Sequence, residues 1–114
     1  MPDRYSELVE RLKTAVLNTR GVTDSALRRA IETRAAIAGG RPASPAPSLP
    51  ADVERYVDLV ARHAYRVTDA DVQSLKQAGY PEDAIFEITA SAAVGAGVGR
   101  LEAGMRVLRE ARGT

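Results

Sequence analysis

The sequence contains no cysteine and no tryptophan, and it has a single phenylalanine. Without a thiol, the chain has no thiolate nucleophile, no disulfide and no sulfur ligand for a metal ion. So few aromatic rings leave little material for the stacking platforms on which single-stranded nucleic acids bind. These absences exclude cysteine-based redox chemistry and argue against a nucleic-acid partner.

The sequence also lacks an excess of charge of either sign and a long apolar run. Sixteen basic and fifteen acidic residues give a net charge of +1, and the two signs are interspersed. The most apolar stretch, 84–98, is interrupted by Glu87 and is shorter than the ~20 apolar residues that span a bilayer. The charged N-terminal sequence MPDRYSELVERLK is not typical of a signal peptide. We therefore expect a cytoplasmic protein without a membrane partner.

Apolar residues recur at helical spacing through most of the chain, which predicts an all-α fold of five or six helices in one domain, 1–114. The first predicted helix covers Asp3–Thr19, with Asp3 as its N-cap. One face of this helix carries its apolar residues, which are Tyr5, Leu8, Val9, Leu12, Ala15 and Val16. The spacing of these residues indicates an amphipathic helix that packs on a neighbour.

The second predicted helix covers Ser25–Ala38 and begins after Thr23 or Asp24, either of which can cap it. It completes an N-terminal helical pair within residues 1–40. Its arginines, Arg28, Arg29 and Arg34, suit an acidic partner, but such runs are more often solvated surface. A proline-rich segment, RPASPAPSLP at 41–50, follows and predicts an extended, partly mobile linker between helices 2 and 3.

The third helix is predicted from Ala51, because apolar residues return there at offsets of three and four. Thr68 and Asp71 form a capping-box pattern for a short fourth helix, which Gly79 ends. The last helix starts near Pro81 and is predicted to reach Arg109. Tyr56 is expected in the core with its hydroxyl tethered, and Tyr80 against the start of the last helix.

The middle of the last helix, ASAAVGAGVG at 90–99, is made of small residues that weaken a helix. Close packing against another helix, within the subunit or across a subunit interface, is the best reason for this composition. A surface that faces a ligand is a lesser alternative. A phosphate-binding loop fits poorly, because no strand precedes the glycines and no P-loop lysine accompanies them.

The segment ADVQSLKQAGYPEDAIFEITASAAVGAGVGRLEAGMRVL, 70–108, resembles the C-terminal half of the AhpD and carboxymuconolactone decarboxylase family. The resemblance rests on the helix that ends at Gly79, the acidic turn, AIFEI at 84–88 and the following small-residue helix. It extends loosely back to residue 50, so that the family-like core would cover 51–110. It implies an AhpD-like helical bundle that forms trimers or hexamers through its C-terminal helix, and in many members a thiol peroxidase activity.

This sequence has other residue types at the positions where the resembling family has its redox residues. The family's two cysteines fall on Ala64 and Val67. Its histidine falls on Asp71, and its upstream glutamate falls on or near Asp52, with Glu54 as the alternative. The resemblance therefore implies a member without peroxidase activity, since neither Ala nor Val supplies a thiol.

The only histidine, His63, lies near the end of the third helix and close in sequence to Asp69 and Asp71. It suits a general base, although the favoured interpretation is a half-exposed histidine that complements the helix dipole. One histidine with scattered carboxylates lacks metal-ligand spacing, so we expect no metal and no cofactor. Asp69 and Asp71 also suit helix capping.

Two functions from different classes remain open. The first is an oligomeric binding or assembly subunit, for which a redox-active, cysteine-bearing paralogue is one conceivable partner. The second is a cofactor-free acid/base enzyme, a decarboxylase or lactone-processing protein, that uses His63, Asp71 and Asp52. The second requires these three side chains to converge on one pocket. Whether residues 1–40 swap onto a neighbouring subunit is also open.

Overall fold

The computed structural model describes residues 4–45 and 47–113, with the backbone alone at Tyr5. Within these residues the fold is all-α, as predicted, and contains no strand. A 3-10 turn, Ala64–Arg66, follows the third of five α-helices. The helices are α1 (Arg4–Leu17), α2 (Ser25–Gly39), α3 (Ala51–His63), α4 (Asp69–Gln77) and α5 (Glu82–Gly113). The prediction that Asp3 caps α1 lies outside the described residues.

The predicted local signals place most helix ends correctly. Asp24 caps α2, and its carboxylate accepts a hydrogen bond from the Ala26 amide. Thr68 and Asp71 form the predicted capping box at α4. Gly79 has a φ of 103°, a conformation that favours glycine after a helix. The last helix runs to Gly113, four residues beyond the predicted end.

The core lies where α2, α3 and α5 meet. The fully buried side chains include Ile31 of α2, Val53 and Val57 of α3, and Ile88 of α5. Tyr56 is buried, as predicted, and its hydroxyl lies 2.7 Å from the Thr89 Oγ1. The apolar face of α3 is thus explained by its central position.

The helices α2, α3 and α5 run in the same direction. The proline-rich segment between α2 and α3 makes this arrangement possible. Glu32 of α2 lies against Gly95, and Ala36 against Gly99, so that α2 and α5 are parallel. Tyr56 contacts Thr89, and the Arg100 guanidinium donates to the Ala61 carbonyl, so that α3 also runs along α5. The chain must therefore return along the whole length of α2 before α3 can begin.

The segment 41–50, which we call the return strap, covers this distance. The 15 residues of α2 rise about 22 Å, and nine residue steps of polyproline conformation span about 28 Å. Pro50 has φ −53° and ψ 142°, close to that conformation. Arg41 fixes the start of the return strap through ion pairs with Glu32 and Glu102, and Leu49 packs against the core at its other end. The predicted linker is thus a tied part of the domain.

The α1–α2 connection is tied to α5 by a buried charge network. The Glu87 carboxylate accepts hydrogen bonds from the amides of Val22 and Thr23, each at 2.8 Å, and from the Thr23 hydroxyl. Arg28 donates to the carbonyls of Val16 and Thr19. The expectation that Arg28 lies on a solvated face is therefore wrong, because its side chain is 4% exposed and closes the end of α1.

The small residues of α5 allow close contact with α2 inside the subunit. A Cβ atom at Gly95 would lie 2.5 Å from the Glu32 carbonyl oxygen. One at Gly99 would overlap the Ala36 backbone, and one at Gly39 would overlap that of Ala96. This confirms close helix packing as one reason for the small residues of the segment 90–99.

α5 is long and apolar enough to cross a membrane by length and composition alone. Half of its most apolar window is, however, buried against the rest of the fold. Burial of this kind is typical of a central core helix, so its composition needs no bilayer to explain it.

Candidate functional site

Two of the three predicted catalytic residues share a cavity. Asp52 of α3 and Asp71 of α4 line a depression of about 90 Å³ between these helices. The other lining residues are Arg55, Tyr56, Leu59, Ser74 and Leu75. The cavity is large enough for a few water molecules. Its polar side chains include Asp52 and Arg55 of α3 and Asp71 and Ser74 of α4.

The third predicted catalytic residue, His63, does not line this cavity. It is the last residue of α3 and is exposed. Its ring lies edge-on to that of Tyr65, with 6.0 Å between centroids. The position is that of a histidine which complements the dipole at a helix C-terminus. The structure therefore brings together the two carboxylates but not the proposed base.

Asp71 is held by groups of its own helix start. Its carboxylate accepts hydrogen bonds from the Thr68 amide at 2.8 Å and the Thr68 hydroxyl at 3.0 Å. Arg55, which is largely exposed, approaches it to 3.6 Å. The backbone hydrogen bond from Thr68, followed by the hydroxyl bond, lowers the pKa of Asp71. An acid with a lowered pKa stays ionised near neutral pH and is a poor proton shuttle.

We expect NMR titration of the Asp71 carboxyl carbon to give a pKa below 3.8, because the capping bonds favour the ionised form. A Thr68→Val variant should bring this pKa closer to 3.8 by removing the hydroxyl, while keeping the backbone bond. A pKa for Asp71 well above 4 would instead support acid/base chemistry in the cavity.

The positions that the family resemblance aligns with cysteines are separate from this cavity. Ala64 is exposed in the 3-10 turn, whereas Val67 is half-buried and packs against the core. Neither residue lines the space between Asp52 and Asp71. Glu54, the alternative acid, pairs with Arg34 at 3.4 Å. In the described part of the chain, no group of three potential metal ligands is found.

A different surface stands out on α5, on the side opposite the core. One line along this helix is solvent-exposed and carries no charge between its ends, and we call it the outer face of α5. Its residues are Phe86, Ala93, Gly97, Leu101, Gly104 and Leu108. Their spacing of three, four and seven follows one side of a helix. Phe86 is 73% exposed, and Leu101 and Leu108 are about half exposed.

The glycines of α5 therefore have two separate roles. Gly95 and Gly99 lie against α2, whereas a Cβ atom at Gly97 or Gly104 would meet no atom within 4 Å. Packing inside the subunit explains Gly95 and Gly99 but does not explain Gly97 and Gly104. The sequence prediction treated the segment as one unit and missed this division. The sequence did contain a sign of this division. Phe86, Leu101 and Leu108 lie at helical spacing on the same side as Gly97 and Gly104.

The apolar face of α1 is only partly used inside the subunit. Leu17 is buried and Val9 and Val16 are half-buried, but Leu8 and Leu12 are each 51% exposed. The contact side of α1 is thus rotated away from the centre of its predicted apolar face. Together with the outer face of α5, these leucines leave apolar side chains of two helices exposed to water.

Comparisons of this chain with protein-family models, with curated proteins and with solved structures find no match. The AhpD-like resemblance, and the activities and assembly that it implies, stay predictions. The arguments for function therefore rest on the residues of this chain.

Proposed function

We propose that this protein is a cysteine-less, non-redox assembly subunit, similar to the AhpD-like proteins in its fold, which self-associates through the outer face of α5. The observation that supports the proposal is the line of exposed apolar side chains opposite the core, with Phe86, Leu101 and Leu108 as its large members. Complete burial of one such side chain contributes about 1.5–3 kcal/mol. A second copy of the chain brings an equal apolar face, so that both are removed from water together.

Shape also favours a helix as the group that covers this face. Gly97, Gly104 and Ala93 leave room in the middle, so that the backbone of another helix can approach closely. The exposed leucines of α1, Leu8 and Leu12, supply further apolar area for a subunit contact. A 114-residue chain buries a limited share of its surface alone, and association adds to that share.

We expect the wild-type protein to sediment as an oligomer at micromolar concentration and the Leu101→Glu variant to sediment as a monomer. The carboxylate would be buried without a partner in the contact, which costs several kcal/mol. Val107→Glu is the matched control, since Val107 is 64% exposed on the same helix but lies about 120° around the helix axis from Leu101. Sedimentation equilibrium over a hundredfold concentration range measures the difference.

Circular dichroism shows whether the variants keep their helices. A wild-type protein that is monomeric throughout this range would contradict the proposal. Equal dissociation by both substitutions would contradict the choice of face.

The second candidate is a cofactor-free acid/base enzyme, which the shared cavity of Asp52 and Asp71 favours. It is the weaker proposal, because Asp71 is engaged in capping α4 and His63 lies elsewhere. Turnover of lactones or β-keto acids that is abolished in Asp52→Asn would support it. Turnover that Asp52→Asn leaves unchanged would remove the cavity from consideration.

A further inference from the structure

The outer face of α5 is nearly symmetric in residue size about Gly97. Phe86 lies eleven residues before Gly97, and Leu108 lies eleven residues after it. Ala93 and Leu101 are each four residues from the same centre. In two antiparallel helices that cross at Gly97, residues at equal distances on opposite sides meet. Phe86 would then meet Leu108 of the other copy, and the small Ala93 would meet the larger Leu101.

Charge has the opposite symmetry about the same centre. The N-terminal turn of α5 carries Glu82 and Asp83, whereas its C-terminal turns are basic on balance, with Arg109 and Arg112 against the single carboxylate of Glu110. Glu82 and Arg112 are each fifteen residues from Gly97. An antiparallel pair therefore places acidic turns beside basic turns at both ends, whereas a parallel pair places like charges together. The Glu82 side chain contacts Lys76 but is 80% exposed, which leaves it accessible to a second cation.

Gly97 is also suited to the point of closest approach. No atom lies within 4 Å of the position that its Cβ would occupy, so its backbone is open to the outside. Two other glycines of α5 are open, Gly104 and Gly113, but Gly113 is the last residue of the helix. A crossing at Gly104 would place the apolar Leu108 opposite the charged Arg100. Of these three glycines, Gly97 is the one that matches both the apolar residues and the charges.

We infer that two copies of this chain pair through their α5 helices in an antiparallel, two-fold arrangement that crosses at Gly97, with the acidic N-terminal turn of each helix beside the basic C-terminal turns of the other. This inference rests on the proposed function and adds the register and direction of the contact. A two-fold contact of this kind gives a dimer, or joins two trimers into a hexamer.

The absence of natural cysteine allows a direct test by single introduced thiols. In the Gly97→Cys variant the two thiols meet at the two-fold axis, so oxidation should give a disulfide-linked dimer. We expect a rate at least about tenfold above that of Val107→Cys, because pairing holds the thiols at a high effective concentration. A mixture of Glu82→Cys with Arg112→Cys should give mainly the mixed dimer, and either variant alone should give little.

The outcomes separate this inference from the proposed function. Efficient linkage of Gly97→Cys together with the mixed dimer supports the antiparallel register. Linkage of Glu82→Cys to itself would show a parallel pair and overturn the inference. An oligomer in sedimentation whose Gly97→Cys variant links no faster than Val107→Cys would also overturn the register, while the assembly function stands. A monomeric wild-type protein would overturn both.

Discussion

Gly99→Ala is expected to lower the free energy of unfolding by about 3 kcal/mol, although alanine is the better helix former by about 1 kcal/mol. The added Cβ would overlap the backbone of Ala36, including its carbonyl oxygen. Backbone atoms of a helix cannot rotate away as a side chain can, so α2 and α5 must separate. Separation opens the contact among α2, α3 and α5 that forms the core.

Gly104→Ala is the matched control, because it adds the same methyl group to the same helix in open space. It should raise stability by up to about 1 kcal/mol. Both substitutions are best compared in the Leu101→Glu background, where assembly does not contribute. Urea unfolding followed by circular dichroism gives the two free energies. A stabilising effect of Gly99→Ala would mean that α2 and α5 are not in backbone contact at this point.

Glu87→Ala is expected to lower the free energy of unfolding by about 2–3 kcal/mol. The Glu87 carboxylate satisfies the amides of Val22 and Thr23, and it lies 4.0 Å from the Arg28 Nε. That Nε is buried and has no hydrogen-bond partner in the structure. Removal of the carboxylate would therefore leave a buried cation without its nearest negative charge.

Glu82→Ala provides the control for Glu87→Ala, since Glu82 is on the same helix and pairs with Lys76 at the surface. Glu82→Ala should lower the free energy of unfolding by less than about 1 kcal/mol. Thermal unfolding of the two variants at pH 7 makes the comparison. Equal effects would show that the tie between α5 and the α1–α2 connection adds no more than a surface ion pair.

The same network predicts a pH dependence of stability. Burial of Glu87 opposes its ionisation, but hydrogen bonds from Thr23 and Val22 outweigh burial and lower its pKa below the ordinary value of 4.5. The ionised form is thus favoured by folding. Its contribution is complete above pH 4.5 and is lost as the pH falls through the lowered pKa. The wild-type protein should lose more stability than Glu87→Gln as acid is added below pH 5.

The sequence determined the helices well because their signals are local. Asp24, the capping box at Thr68 and the cap glycine Gly79 act within a few residues of their own positions, and each did so in the structure. Helix direction is not a local property. The parallel arrangement of α2 and α3 depends on contacts that join residues more than thirty positions apart, such as Tyr56 with Thr89. No periodicity within one helix contains this information.

The candidate sites could be predicted less well, for two physical reasons. Arg28 looks like a surface residue in sequence, but the carbonyls at the end of α1 and the carboxylate of Glu87 solvate it inside the protein. His63 was close to Asp71 in sequence, yet the 3-10 turn leads the chain away before α4 begins. The role of Arg28 is thus determined by Glu87, which is distant in sequence, whereas that of His63 is determined by the end of its own helix.

The return strap sets a lower limit on the length of the connection between α2 and α3. It has about 28 Å of reach for a path of about 22 Å, so two further residues can be lost before the chain becomes taut. Additional residues meet no such limit, because longer loops cost little entropy. Insertions between Pro42 and Pro47 are therefore compatible with this fold, whereas deletions of three or more residues there are not. We therefore expect foreign peptides inserted in the strap to leave the helices together.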